Sequence, residues 1–124
     1  MSAPNKDAVR RFVDEVINAG RLEVTDEVCA PGLAEDARRW VAPFRASFPD
    51  VRMRIVDLVA EGDRVAGRFT CSATHTGAWL GRPATGRRFE DVDEVYFFRL
   101  SDGRIVEMWG LEDTADRMRQ LGLS

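Results

Sequence analysis

The sequence is poor in the residues that most often announce a function. It has one histidine and two cysteines among 124 residues, and no His/Cys/Asp spacing of the kind a zinc site needs, which argues against a protein-held metal. Cys29 and Cys71 lie far apart in different elements, so they are expected to be reduced core residues without a redox role. No apolar run approaches the length of a membrane span. Residues 1–20 are charged and amphipathic, without the apolar core or small-residue cleavage site of a secretory signal, and the expected location is the cytoplasm. A phosphate-cradling glycine loop is missing as well: the connection Thr76–Arg87 contains glycines at the wrong spacing. A net charge of −3 argues against nonspecific nucleic-acid binding. The pairs Arg10-Arg11, Arg38-Arg39 and Arg87-Arg88 are expected on a solvated face.

What is present is a globular composition, 44% hydrophobic and 31% charged, in a length that fits one domain with its own core. Val9, Phe12, Val13, Val16 and Ile17 recur at helical spacing and predict a helix over Asn5–Ala19, with Asn5 as a candidate cap and Gly20 as its stop. A short helix is expected over Val24–Cys29, ended by Ala30-Pro31-Gly32. Leu33, Ala37, Trp40, Val41, Phe44 and Phe48 predict a third helix that Pro43 should kink or restart. Trp40, Phe44 and Phe48 either belong to the core or roof an apolar cavity.

After Phe48-Pro49-Asp50 the period changes to two. Strands are expected over Val51–Val59, Arg64–His75 and Phe89–Leu100, the first pair joined by a hairpin turn at Glu61-Gly62-Asp63. Val95, Tyr96, Phe97 and Phe98 are apolar on both phases, so both sheet faces must be covered there. Helices from so short a chain cover one face only, which predicts curling or a partner subunit, and the expectation is a homodimer through the sheet. Helices followed by four antiparallel strands and a terminal helix make the fold class α+β.

The last strand follows the turn Ser101-Asp102-Gly103. If no bulge intervenes, Ile105, Glu107, Trp109, Leu111 and Asp113 share one face, so a carboxylate ends a largely apolar row. Desolvation there would raise its pKa into the range useful for proton transfer. Asp113 also begins Asp113-Thr114-Ala115-Asp116 before an amphipathic run, and aspartate is a strong helix N-cap. Both readings stand on the sequence.

Four segments together resemble the SnoaL-like polyketide cyclase family, part of the nuclear-transport-factor-like superfamily. They are Phe48-Pro49-Asp50, Gly62-Asp63-Arg64-Val65, Thr74-His75-Thr76-Gly77 through Pro83-Ala84-Thr85-Gly86-Arg87, and Asp102-Gly103-Arg104-Ile105-Val106-Glu107-Met108-Trp109 running to Asp113. The resemblance implies a cone of N-terminal helices around a strongly curved antiparallel sheet, with an apolar pocket between them. It implies intramolecular aldol closure of a polyketide ester, without cofactor or metal. Asp113, four residues after Trp109, matches the family's catalytic acid/base position. Candidate proton donors are His75, Tyr96 and Arg68, although the family histidine matched by His75 also suits pinning a loop. Cyclases of the family carry a histidine on the neighbouring central strand; this chain has none between Arg88 and Leu100, so Glu94 or Tyr96 would replace it. Trp109, Trp40, Phe44 and Phe48 are the expected binding walls for a small, apolar, polyketide-like substrate. The scaffold also serves hydroxylases, dehydratases, epoxide hydrolases and noncatalytic ligand binders.

Overall fold

The computed structural model describes residues 2–123. Helix α1 (Ser2–Arg11) starts before Asn5, because Pro4 sits in the first turn, where a missing N–H costs nothing. Asn5 is therefore not the cap; its side chain donates to the Gly62 carbonyl. The helix continues as π-helical turns over Phe12–Asn18, which bury Phe12, Val13, Val16 and Ile17. Gly20, at φ +73°, ends it as expected. A 3₁₀ turn (Leu22–Val24) and α2 (Thr25–Val28) lead to α3 (Pro31–Ser47), which has a proline at its first position. Helix α3 runs through Pro43 without a break.

The strands are β1 (Arg52–Glu61), β2 (Arg64–Thr74), β3 (Arg88–Ser101) and β4 (Arg104–Glu112), followed by α4 (Thr114–Leu121). They form one antiparallel sheet in the order β1-β2-β3-β4. Three register shifts bend it: Val56 is extra on β1, Glu90 and Asp91 together oppose Ser72, and Val106 is extra on β4. Each such bulge adds local twist and curls the sheet toward the helices.

The concave face carries Met53, Val65, Phe69, Tyr96, Phe98, Leu100 and Ile105 into one core with the buried faces of α1 and α3. Asn18, the last residue of the π-helical turns, ties them to β1 through two bonds with the Met53 backbone, at 2.8 and 2.7 Å. A second cluster at the other end gathers Phe48, Val51, Cys71, Phe89, Val92 and Leu121. Helix α4 docks there, with the Gln120 amide bonded to the Glu90 backbone N–H and carbonyl. Cys29 and Cys71 are free and buried, and burial pushes their thiols up to about 11 and about 12. No helix among the described residues is long and apolar enough to cross a membrane.

Candidate active site

The bulge at Val106 decides which side chains of β4 meet the interior. Before it Ile105 faces inward; after it Met108, Gly110 and Glu112 do, opposite Phe98, Tyr96 and Glu94 of β3. The row Glu107, Trp109, Leu111 is thereby turned to the outer face, and Asp113 follows it out of the cavity. This corrects the alternation read from the sequence, which assumed an unbroken strand.

Glu94 and Tyr96 are two residues apart on the concave face of β3, and Glu112 pairs across from Glu94. The residue opposite Tyr96 is Gly110, and the aromatic ring lies over it. A Cβ at Gly110 would overlap ring carbons Cδ1 and Cε1 and lie 3.1 Å from Cζ. The ring can cross β4 only because that side chain is absent. Its hydroxyl donates to Glu94 Oε1 at 2.8 Å and lies 3.4 Å from Glu112 Oε2.

Arg117 closes the arrangement from α4. Asp113 caps this helix, its Oδ1 accepting the Asp116 N–H at 3.0 Å, and the Arg117 N–H bonds the Asp113 carbonyl. One turn in, the Arg117 guanidinium reaches Glu94 Oε2 and Glu112 Oε1, both at 2.6 Å. The rings of Phe89 and Phe44 flank it at 4.8 and 5.5 Å. Only 1% of its side chain is exposed, against 5% for Glu94 and 40% for Glu112. The result is a closed ring of contacts: Glu94, Tyr96, Glu112, Arg117.

Two carboxylates share one guanidinium there. Burial and the nearby Glu112 charge raise the Glu94 pKa above its usual value, against the pull of Arg117 and the Tyr96 hydroxyl. Burial, and then the two carboxylates, push the Tyr96 phenol up, so it stays protonated and able to donate. Burial works against the Arg117 charge, yet the carboxylates beside it more than offset that and its pKa is raised.

This ring forms the floor of a cavity of about 400 Å³, within the usual span of small-molecule sites. Trp40, Phe44, Trp79, Leu80 and Met108 make its walls, and Tyr96, Glu112 and Arg117 its polar end. A narrow inner extension reaches Glu94 and Cys71. Trp79 and Leu80 come from the loop after β2, anchored where the Thr76 and Gly77 N–H groups donate to the Ser47 carbonyl.

Of the residues expected from the sequence, Tyr96, Glu94, Trp40 and Phe44 converge on this cavity. Asp113 is exposed and serves as the cap of α4. His75 is fully buried; its Nδ1 contacts the Thr85 hydroxyl and accepts the Thr85 N–H at 3.2 Å, which pins the loop. Phe48 is a core residue packed among Phe44, His75, Trp79 and Phe89. Arg68 stands exposed on the outer face, 4.0 Å from Asp93. Trp109 is on that face too, 58% exposed, because of the Val106 bulge. Glu112, Arg117, Trp79 and Met108 were not anticipated. A hint existed for Arg117, which lies four residues before the core residue Leu121 and so on the buried side of α4. Among the described residues no cluster of His, Cys, Asp and Glu could hold a metal ion.

Comparison with known proteins agrees with this architecture. The model of the SnoaL-like polyketide cyclase family matches residues 7–121. The aklanonic acid methyl ester cyclase DnrD of Streptomyces peucetius is 29% identical over 117 residues, which cover 94% of this chain and 79% of that one. The nogalonic acid methyl ester cyclase of Streptomyces nogalater is 28% identical over 119 residues, 85% of this chain and 88% of that one. The solved structure of TsrD from Streptomyces laurentii superposes with a TM-score of 0.84 at 28% identity, covering 100% of this chain and 98% of that one. With its helices on the concave side of a bent four-stranded sheet, the chain belongs to the SnoaL-like polyketide cyclase family, of nuclear-transport-factor-like fold.

Proposed function

We propose that the protein closes a ring in a polyketide-like carbonyl compound by intramolecular aldol addition, with Glu112 as the base and Tyr96 as the acid. The observation that carries this reading is the closed ring of Glu94, Tyr96, Glu112 and Arg117 at the floor of an aromatic cavity. An aldol closure needs one group to take a proton from the carbon next to a carbonyl. It needs another to protonate the oxygen of the carbonyl under attack.

The roles follow from the bonding. The single Tyr96 proton is engaged with Glu94 at 2.8 Å, so Glu112 Oε2, at 3.4 Å, keeps a free lone pair. Glu112 is also the more open of the two carboxylates. In the step, Glu112 takes the α-proton and the resulting enolate carbon forms the new bond to the second carbonyl carbon. The oxygen of that carbonyl becomes an alkoxide and takes the Tyr96 proton. Tyr96 then recovers a proton from Glu112, and the site ends as it began. Arg117 holds both carboxylates in place, and Glu94 orients the phenol. The aromatic walls exclude water and hold the chain of the substrate folded, where proximity lowers the barrier.

The test is product analysis with aklanonic acid methyl ester and nogalonic acid methyl ester, the compounds named in the relatives' activities. The expected product has the mass of its substrate and one more ring. A product heavier by oxygen or water would overturn the assignment, and so would tight binding of either ester with no turnover.

A further inference from the structure

The connection from β2 to β3 carries a hairpin tip whose sequence does not suit its backbone. Trp79 and Arg82 exchange two backbone hydrogen bonds of 2.9 Å, N–H to carbonyl in each direction, which leaves Leu80 and Gly81 as a two-residue loop. Both have positive φ, +50° for Leu80 and +75° for Gly81, the pattern of a type I′ turn. Such a turn is ordinarily filled by asparagine, aspartate or glycine, because a bulky side chain in the left-handed region crowds the following carbonyl. Leucine is strained there. It is also poorly suited to water, yet 65% of it is exposed.

The tip is held in place from both sides. The Thr76 and Gly77 N–H groups donate to the Ser47 carbonyl and the Ser47 hydroxyl donates to the Ala78 carbonyl, which fastens one limb to the end of α3. Trp79 packs edge-on against Phe48 and His75, with ring centroids 5.4 and 6.4 Å away. On the other limb the Arg82 guanidinium donates to the Leu123 carbonyl at 2.7 Å, just after α4. The arm therefore bridges the ends of α3 and α4, the two helices that supply Trp40, Phe44 and Arg117 to the cavity. These ties leave the Leu80 backbone little room to relax and keep its side chain at the cavity wall.

A turn under no demand but its own would carry asparagine, which relieves the strain and suits water. Leucine at the tip answers instead to an apolar group inside the cavity. The cavity is divided to match: Tyr96, Glu112 and Arg117 make its polar end, whereas Leu80 is the most exposed of the apolar side chains that line it. We propose that Leu80 is a specificity-determining residue: it contacts the part of the substrate that lies away from the reacting carbonyls and selects an apolar group there, without hydroxyl or carboxylate. This rests on the cavity being the site of the ring closure proposed above, and Leu80 then decides which molecules are held for it. Covering a leucine that is mostly exposed is worth roughly tenfold in affinity, and the strain at the tip is the stability that this contact costs.

The experiment pairs thermal unfolding with steady-state kinetics for Leu80→Asn and Leu80→Ala, on whichever of the two methyl esters the wild type converts. Leu80→Asn keeps the turn and removes the apolar contact. Its Tm is expected to rise by about 3 °C as the strain is relieved, while KM rises roughly tenfold and kcat stays within about threefold. Leu80→Ala keeps the left-handed strain, so it should raise KM to the same degree without any gain in Tm. A Tm for Leu80→Asn at or below that of the wild type would overturn the strained tip, and an unchanged KM in both variants would overturn the contact. If the wild type converts neither ester, the ring closure fails, and Leu80 is tested apart from it with N-phenyl-1-naphthylamine, a neutral apolar probe. Intermolecular NOEs from this probe to the Leu80 methyl groups, assigned as the signals missing from Leu80→Asn, and a Kd weakened roughly tenfold in that variant would uphold the role. A probe that does not bind, or that binds without touching those methyl groups, would overturn it.

Discussion

Replacing Arg117 by methionine removes the one cation that Glu94 and Glu112 share. Both carboxylates bond it at 2.6 Å, and it is enclosed by the Phe89 and Phe44 rings. Methionine fills part of the space but leaves two negative charges facing each other across β3 and β4. Breaking a buried ion pair from one side typically costs about 3–5 kcal/mol. Glu112 is partly open to the cavity, which moves the expectation to the lower half of that range. For a chain of this length about 3 kcal/mol corresponds to a drop in Tm on the order of 10 °C. The loss must also depend on pH, because protonating the carboxylates removes their repulsion. Thermal unfolding of Arg117→Met at pH 5 and pH 8 should show a larger loss at the higher pH, and adding Glu94→Gln should recover part of it. A loss under about 1 kcal/mol, typical of an exposed arginine, or one independent of pH, would refute the shared-cation reasoning.

Three further outcomes are expected. Gly110→Ala forces the Tyr96 ring off β4 and its hydroxyl away from both carboxylates; turnover should fall roughly 100-fold, as displacements near 1 Å do, and unchanged kinetics would show that the ring position does not matter. Asp113→Ala should cost about 1 kcal/mol through the lost cap of α4, whereas Asp113→Asn, an equally good cap, should cost almost nothing in chemical denaturation. The pH dependence of stability carries the Glu94 sign: a carboxyl whose folded pKa is raised binds its proton more tightly when folded. Stability should therefore fall as pH rises from the ordinary 4.5 through the raised Glu94 value, and Glu94→Gln should flatten that slope. Glu15, Asp50 and Glu90 are shifted down, so their effects fall below that window.

The helices, the hairpin order and the α+β class were legible because they rest on periodicity and on turn residues such as Gly20 and Gly62, which repeat over many positions. The site was legible only in part. Tyr96 and Glu94 stand on a strand whose alternation holds from Val92 to Leu100, and both appeared among the candidates. Glu112 did not, because the single extra residue Val106 reverses the parity of everything after it, and no residue type there signals a bulge. The same reversal sent Trp109 outward and left Asp113 as a cap. Arg117 was hidden by its chemistry: an arginine in a short polar helix reads as solvated until two carboxylates from other elements are seen around it. Gly110 shows the converse, since its importance lies in the ring that a side chain there would displace.

The central claim is that Glu112, and not Asp113, moves the substrate proton. The most direct measurement is kcat for Glu112→Gln and Asp113→Asn side by side, on whichever methyl ester the wild type converts, with unfolding curves for both. The account predicts that Glu112→Gln loses roughly 100- to 10,000-fold, the usual worth of a positioned base, while Asp113→Asn stays within a few-fold of the wild type. The reverse pattern, with Asp113→Asn inactive yet fully folded and Glu112→Gln active, would contradict it.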